Sequence, residues 1–185
     1  SKIKQNQNHR ILENASVNYA RAWRHQKTKK EVEERMLAYE NNLEHIIHLC
    51  RENNVPLIMG TVPSNLLQPY LSKDTWKKYM QVLILIQKKN FTSAEHLARK
   101  ILRDTPTRHQ SSDIENEIIR RLAKKYDIVL ADVEKAVNKA EPHSFPGLTL
   151  FSDHCHLNDK GNNVLLETFA QKIIHIFYQA APSSD

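Results

Sequence analysis

At 185 residues with 40% hydrophobic content, the chain has the size and apolar share of one ordinary globular domain, 1–185, which argues against disorder and against a multi-domain arrangement. The surplus of 27 Lys and Arg over 21 Asp and Glu gives a net charge of +6, and the densest basic run is Arg24 to Lys30; elsewhere basic side chains alternate with acids, so solvated helix faces are expected and a nucleic-acid partner is not. No stretch reaches the roughly 18 consecutive apolar residues of a membrane helix, the first residues lack the apolar core of a signal peptide, and Cys50 and Cys155 are too few for a disulfide scaffold.

In chain order, the first clear signal is Val32, Met36, Tyr39, Leu43, Ile46, Ile47 and Cys50, whose spacing of three and four predicts an amphipathic helix over 31–53. Thr28 and Glu31 offer a capping box at its start. The periodicity then breaks into a short apolar run from Val55 to Pro63, bounded by prolines, which predicts a strand over 56–62 covered on both faces, as in a parallel sheet. Pro63-Ser64-Asn65 follows as a loop.

An apolar helix around Tyr79 to Ile86, and another from a capping box at Thr92 and Glu95 to Leu102, predict a helical hairpin inserted at about 73–106. Phe91, Ala94, Ala98 and Pro106 stand where a tetratricopeptide repeat places similar residues, but a single such unit cannot form a peptide-binding array. A helix opened by the box Ser112 and Glu115 buries Ile114, Ile118 and Leu122, and a second non-alternating strand follows over 127–133. The last helix, about 159–178, carries Leu165, Phe169, Ile173, Ile176 and Phe177 on one side.

Two strands do not make a sheet that stands alone, so either the first 25 residues hold a further strand or the edge pairs with another segment or a second copy of the chain. The expected fold class is α/β: helix-rich, with parallel strands and a helical hairpin.

Chemistry concentrates in Phe151-Ser152-Asp153-His154-Cys155-His156-Leu157-Asn158-Asp159-Lys160-Gly161. A three-residue separation just ahead of a helix lets the Asp153 carboxylate fold back on the His156 imidazole, accept its Nδ1 proton and leave Nε2 free as a base. The bland alternative is that Asp153 caps the next turn and His156 packs over Phe151. A metal site from Asp153, His154, Cys155 and His156 is not expected, because consecutive side chains diverge and no distant partner cluster is evident. No cofactor is implied.

The block Asp153-x-x-His156-Leu157-Asn158-x-x-Gly161 resembles the last sequence block of the SGNH (GDSL-type) hydrolases. That resemblance implies a partial three-layer, flavodoxin-like fold, with Asp153 orienting His156 and His156 deprotonating a serine and then protonating the leaving alcohol. The likeness spans about 31–178: the hairpin resembles the tetratricopeptide-like insert of some members, and Asp104-Thr105-Pro106-Thr107-Arg108 is similar to the stretch that ends it. The family's Gly-Asp-Ser turn and oxyanion-hole Gly and Asn have no counterpart here, so the resemblance implies a C-terminal portion completed by an upstream segment of the same domain. Its substrate would be an ester or acylated small molecule or carbohydrate. Asn65, Ser64 and Asn158 are candidate pocket residues. A non-catalytic interaction domain and a basic helical nucleic-acid binder are the alternatives.

Overall fold

Capping chemistry starts the helices where the apolar stripes need them. Thr28 accepts the N–H of Glu31 at 3.3 Å while the Glu31 carboxylate accepts the Thr28 N–H at 2.7 Å, and helix α1 runs from there over Lys29–Glu52. The chain is seen here as a computed structural model that describes residues 28–106 and 109–180, with side chains of the last helix as far as Ile176. The expected further strand in the first 25 residues, most of the basic run, Thr107, Arg108 and the Phe177 side chain lie outside the described residues. After α1 come β1 (Ile58–Gly60), α2 (Lys73–Gln87), α3 (Phe91–Arg103), α4 (Asp113–Lys125), β2 (Val129–Ala131), α5 (Val133–Ala140) and α6 (Asp159–Ala180). The fold is helix-rich and mixed α/β.

The two strands pair in parallel, Ile58 opposite Val129, Met59 opposite Leu130 and Gly60 opposite Ala131. Both faces are covered, which is why neither apolar run alternates. Met59 and Leu130 pack with Ile47 of α1 and Ile118, Ile119 and Leu122 of α4; Ile58 and Ala131 pack with Val164, Leu165 and Phe169 of α6. A Cβ on Gly60 would stand 2.6 Å from the Phe169 ring, so a glycine here lets α6 lie directly on the strand.

Each strand is shorter than the apolar run that announced it, 58–60 against 56–62 and 129–131 against 127–133. The reason is polar. Pro56 has no N–H to donate, and beyond Ala131 the Asp132 carboxylate accepts the Lys135 N–H at 3.3 Å, which turns the chain at once into α5, a helix whose first residues the strand reading takes. Beyond Gly60, Asn116 of α4 accepts the Val62 N–H at 2.8 Å and donates to its carbonyl at 2.9 Å, taking the two groups a further strand would pair.

The hairpin α2–α3 has its own core of Tyr79, Val82, Ala94, Ala98 and Leu102, closed against Leu66 and Phe145. Its second helix does not start at the expected Thr92 box. Asn90 caps it instead, accepting the Ser93 N–H at 3.2 Å, and Glu95 turns to Arg99 at 2.8 Å. Asn caps at least as well as Thr, and a left-handed Lys89 (φ 57°) brings the chain round one step earlier. Arg99 also reaches Glu134 at 2.6 Å, Arg120 binds Glu134 and Asp132 at 2.7 Å each, and this chain of charges ties the hairpin to α4, β2 and α5.

Candidate active site

The segment ahead of α6 is a closed loop held at both ends. Phe151 bridges Leu157 in antiparallel fashion, the Ser152 N–H donates to the His156 carbonyl at 2.9 Å, and the Asn158 N–H donates to Leu150 at 2.9 Å. Upstream, the buried Glu141 carboxylate accepts the N–H groups of Gly147 and Leu150 at 3.1 and 2.9 Å. Downstream, Asn158 caps α6 by accepting the Gly161 N–H at 3.1 Å. A Cβ on Gly161 would come within 2.2 Å of the Leu150 carbonyl oxygen, so the helix can begin this close to the loop only with glycine there.

At the tip of this loop, Asp153 divides its two oxygens between two tasks. Oδ1 accepts the backbone N–H groups of Cys155 and His156, each at 2.8 Å, which fixes the turn. Oδ2 lies 2.7 Å from His156 Nδ1. An ionised carboxylate only accepts, so Nδ1 carries a proton, and in the neutral imidazole the lone pair is then on Nε2. The Cys155 N–H, then the His156 N–H and the His156 ring, hold the Asp153 carboxyl well below the usual carboxylate range. Capping the turn and pairing with the ring, alternatives in the sequence, are done by one side chain at once. His156 does not pack over Phe151: its side chain is 75% exposed.

The loop is anchored to the carboxyl end of β1 by Asn65. This side chain is fully buried; its Nδ2 donates to the Asp153 carbonyl at 2.8 Å, its Oδ1 accepts the N–H groups of Leu67 and Gln68 at 2.9 and 3.0 Å, and its own N–H donates to the His154 carbonyl at 3.2 Å. Of the residues singled out as pocket candidates, Asn65 is thus committed to backbone groups, Ser64 donates to the Ser111 carbonyl at 2.8 Å, and Asn158 caps α6. Asn65 and Asn158 thus act as supports of the loop, while Ser64 ties the chain after β1 to the segment ahead of α4.

Three neighbours gave no local signal because they arrive from segments remote in sequence. Gln110, buried, donates to the Asn65 carbonyl at 3.0 Å and accepts the Tyr70 N–H at 3.0 Å. His109 Nδ1 lies 2.7 Å from His154 Nε2, and Tyr70 leans on both rings with centroids 5.8 and 5.4 Å away. Burial pushes His109 down, and the nearby His154 charge adds to this. Cys155 is half-buried, with Sγ 3.6 Å from His156 Nδ1; burial, then the Asp153 charge, pushes its thiol up, so it is a poor nucleophile as it stands. The turn also brings ligand atoms of Asp153, His154 and Cys155 within 4.8 Å of one another, so the argument that consecutive side chains diverge does not hold in this bend.

His156 faces the surface. A groove of about 270 Å³ lies at the other, amino end of the strands, between Ile47, Leu57, Tyr126 and Ile176, and does not include Asp153 or His156. Among the described residues, no helix is long and apolar enough to cross a membrane. Comparison with family models, with curated proteins and with solved structures gives no match for this chain.

Proposed function

We propose that this chain is the C-terminal part of a serine ester hydrolase of the SGNH type, with a partial three-layer α/β fold, in which Asp153 and His156 are the acid and base of a triad and the serine and oxyanion donors belong to an upstream segment of the same domain. The observation that carries the reading is the 2.7 Å pairing of Asp153 Oδ2 with His156 Nδ1 on a turn whose carboxylate is already clamped by two backbone N–H groups. Such a clamp removes the freedom of the acid, fixes the tautomer of the imidazole and leaves Nε2 directed away from Asp153. The position supports it too: ligands of open α/β sheets gather beyond the carboxyl ends of the strands, where Asn65 tethers this loop.

In the proposed reaction, His156 Nε2 takes the proton of the upstream serine hydroxyl as that oxygen attacks the acyl carbon, and then hands the proton to the departing alkoxide. Water enters by the same base in the second half, releasing the acid and restoring the serine. Asp153 stabilises the imidazolium formed in both halves without itself being protonated, consistent with its depressed carboxyl. The substrate class is an ester or acylated small molecule or carbohydrate.

The test is to express the complete reading frame that contains this chain beside the chain alone, and to follow hydrolysis of an aryl acetate. Turnover by the complete protein and none by the chain alone is expected. A complete frame with no Gly-Asp-Ser type turn upstream, or one whose turnover survives loss of His156, would sink the proposal and favour an interaction domain on the same framework.

A further inference from the structure

We propose that the turn Asp153-His154-Cys155 is a binding site for a zinc-like divalent ion, with His109 as the outer partner of its histidine. The observation is the convergence of a carboxylate oxygen, an imidazole nitrogen and a thiol within 4.8 Å of one another, all three side chains partly shielded. Carboxylate, imidazole and thiolate together are the donor set of zinc and cobalt, and are ill suited to calcium or magnesium, which take oxygen alone.

The histidine is oriented as a ligand would be. His154 Nε2 is occupied at 2.7 Å by His109 Nδ1, which leaves Nδ1, the nitrogen 3.9 Å from Asp153 Oδ1, for the ion. Metal-binding imidazoles are held in this way, with one nitrogen on the ion and the other hydrogen-bonded. In a tetrahedral site with bonds of about 2.0–2.3 Å the donor atoms stand roughly 3.3–3.6 Å apart, so the three groups close by about 1 Å on binding. The Cys155 proton leaves to solvent as the thiolate forms. Three protein ligands leave a fourth position for water. Asp153 supplies an oxygen to the ion only by loosening its hold on His156 or on the turn, so the ion and His156 compete for one carboxylate. Ion binding itself stands independently of the hydrolase reading.

The experiment is a titration of the intact, reduced chain with Co²⁺, reading the near-ultraviolet thiolate-to-cobalt absorption, followed by displacement with Zn²⁺. Expected are a saturable band with one ion per chain, its loss in Cys155→Ser and in His154→Asn, its retention in Cys50→Ser, and affinity weakened about tenfold in His109→Ala, the usual effect of removing an outer partner. His156→Ala should bind at least as tightly as the unmodified chain, because a competitor for Asp153 is gone. Circular dichroism verifies that each variant is folded. Absence of a band up to millimolar Co²⁺ would overturn the site, and so would a band that survives Cys155→Ser and vanishes in Cys50→Ser. Neither result bears on ester hydrolysis by the complete protein.

Discussion

Asp132 and Asp153 stand at the same end of the molecule, and both carboxyl groups are held below their ordinary range, by different means. For Asp132 burial alone would raise the value, but Arg120, with the Thr61 hydroxyl at 2.9 Å, overrides it. For Asp153 the backbone N–H groups of Cys155 and His156 do most of the work, and the side-chain partner is an imidazole. A guanidinium keeps its proton throughout the working range of a protein, whereas an imidazole can exchange one. Asp132 is therefore a structural charge, locked between β2, α4 and α5, and Asp153 is a charge whose partner can take part in proton transfer. Low carboxyl pKa by itself does not separate the two; the identity and exposure of the partner does.

The largest expected effect breaks that comparison at His156. On the proposed triad, His156→Ala in the complete protein should lower ester turnover by about three to four decades, since the proposed serine loses its base, and Asp153→Asn should cost a similar or somewhat smaller factor by disturbing the tautomer and the imidazolium. Denaturant unfolding of the same His156 variant should change by no more than about 0.5 kcal/mol, because so exposed a side chain contributes little to packing. A variant that loses stability and activity together would show that His156 is structural.

Arg120→Met should do the opposite, destabilising the fold by about 3 kcal/mol while leaving the Asp153 turn intact, because it strands Asp132 and the nearly buried Glu134 without one of their cations. Its pH dependence sharpens the point. Asp132 has a folded value below its unfolded value of about 3.9, so its contribution to stability is present above that pH and fades as pH falls through the folded value. With Arg120 gone, burial dominates and the folded value rises above the unfolded one, so the sign reverses: Asp132 costs stability at neutral pH, that cost is relieved as pH falls, and the Asp132 share of the acid-induced loss should disappear. Urea unfolding midpoints from pH 7 down to pH 3 measure this; superimposable profiles would mean that Arg120 does not set the Asp132 charge.

The sequence made the two strands and five of the helices legible because apolar spacing and capping residues are local signals: Val55 to Pro63 and Ile128 to Val133 bracket β1 and β2, and Thr28 with Glu31 and Ser112 with Glu115 start α1 and α4. The pairing of Asp153 with His156 was legible for the same reason, three residues apart on one turn. What could not be read depends on segments that meet only in three dimensions. Asn116 filling the strand edge at Val62, Gln110 bracing Asn65, and His109 meeting His154 join residues 54, 45 and 45 positions apart. Helix α5 escaped because its start is set by Asp132, which a strand reading had already claimed. Thr92 misled because Asn90 competes for the same helix end.

Asn65 ties the Asp153 loop to the segment that follows β1, and its replacement gives the smallest effect that still discriminates. Asn65→Ala leaves the Asp153 carbonyl and the N–H groups of Leu67 and Gln68 without their side-chain partner in a buried site, which should cost about 2 kcal/mol in denaturant unfolding. Water entering the space left behind would reduce this figure, not raise it. Asn65→Asp separates the two halves of the side chain's work. One carboxylate oxygen can still accept from Leu67 and Gln68, so the turn after β1 is kept, while the other oxygen now faces the Asp153 carbonyl with no proton to offer. The aspartate variant should thus approach the stability of the unmodified chain more closely in the 65–68 turn than in the 152–156 loop, a contrast that amide hydrogen exchange reads residue by residue. Faster exchange at Cys155 and His156, whose N–H groups are bound to Asp153 Oδ1, with slower exchange preserved at Leu67 and Gln68, is the expected pattern. Equal loosening of both segments would mean that Asn65 only fills space, and that the position of the Asp153 turn is set by Glu141, Asn158 and the Phe151–Leu157 bridge alone.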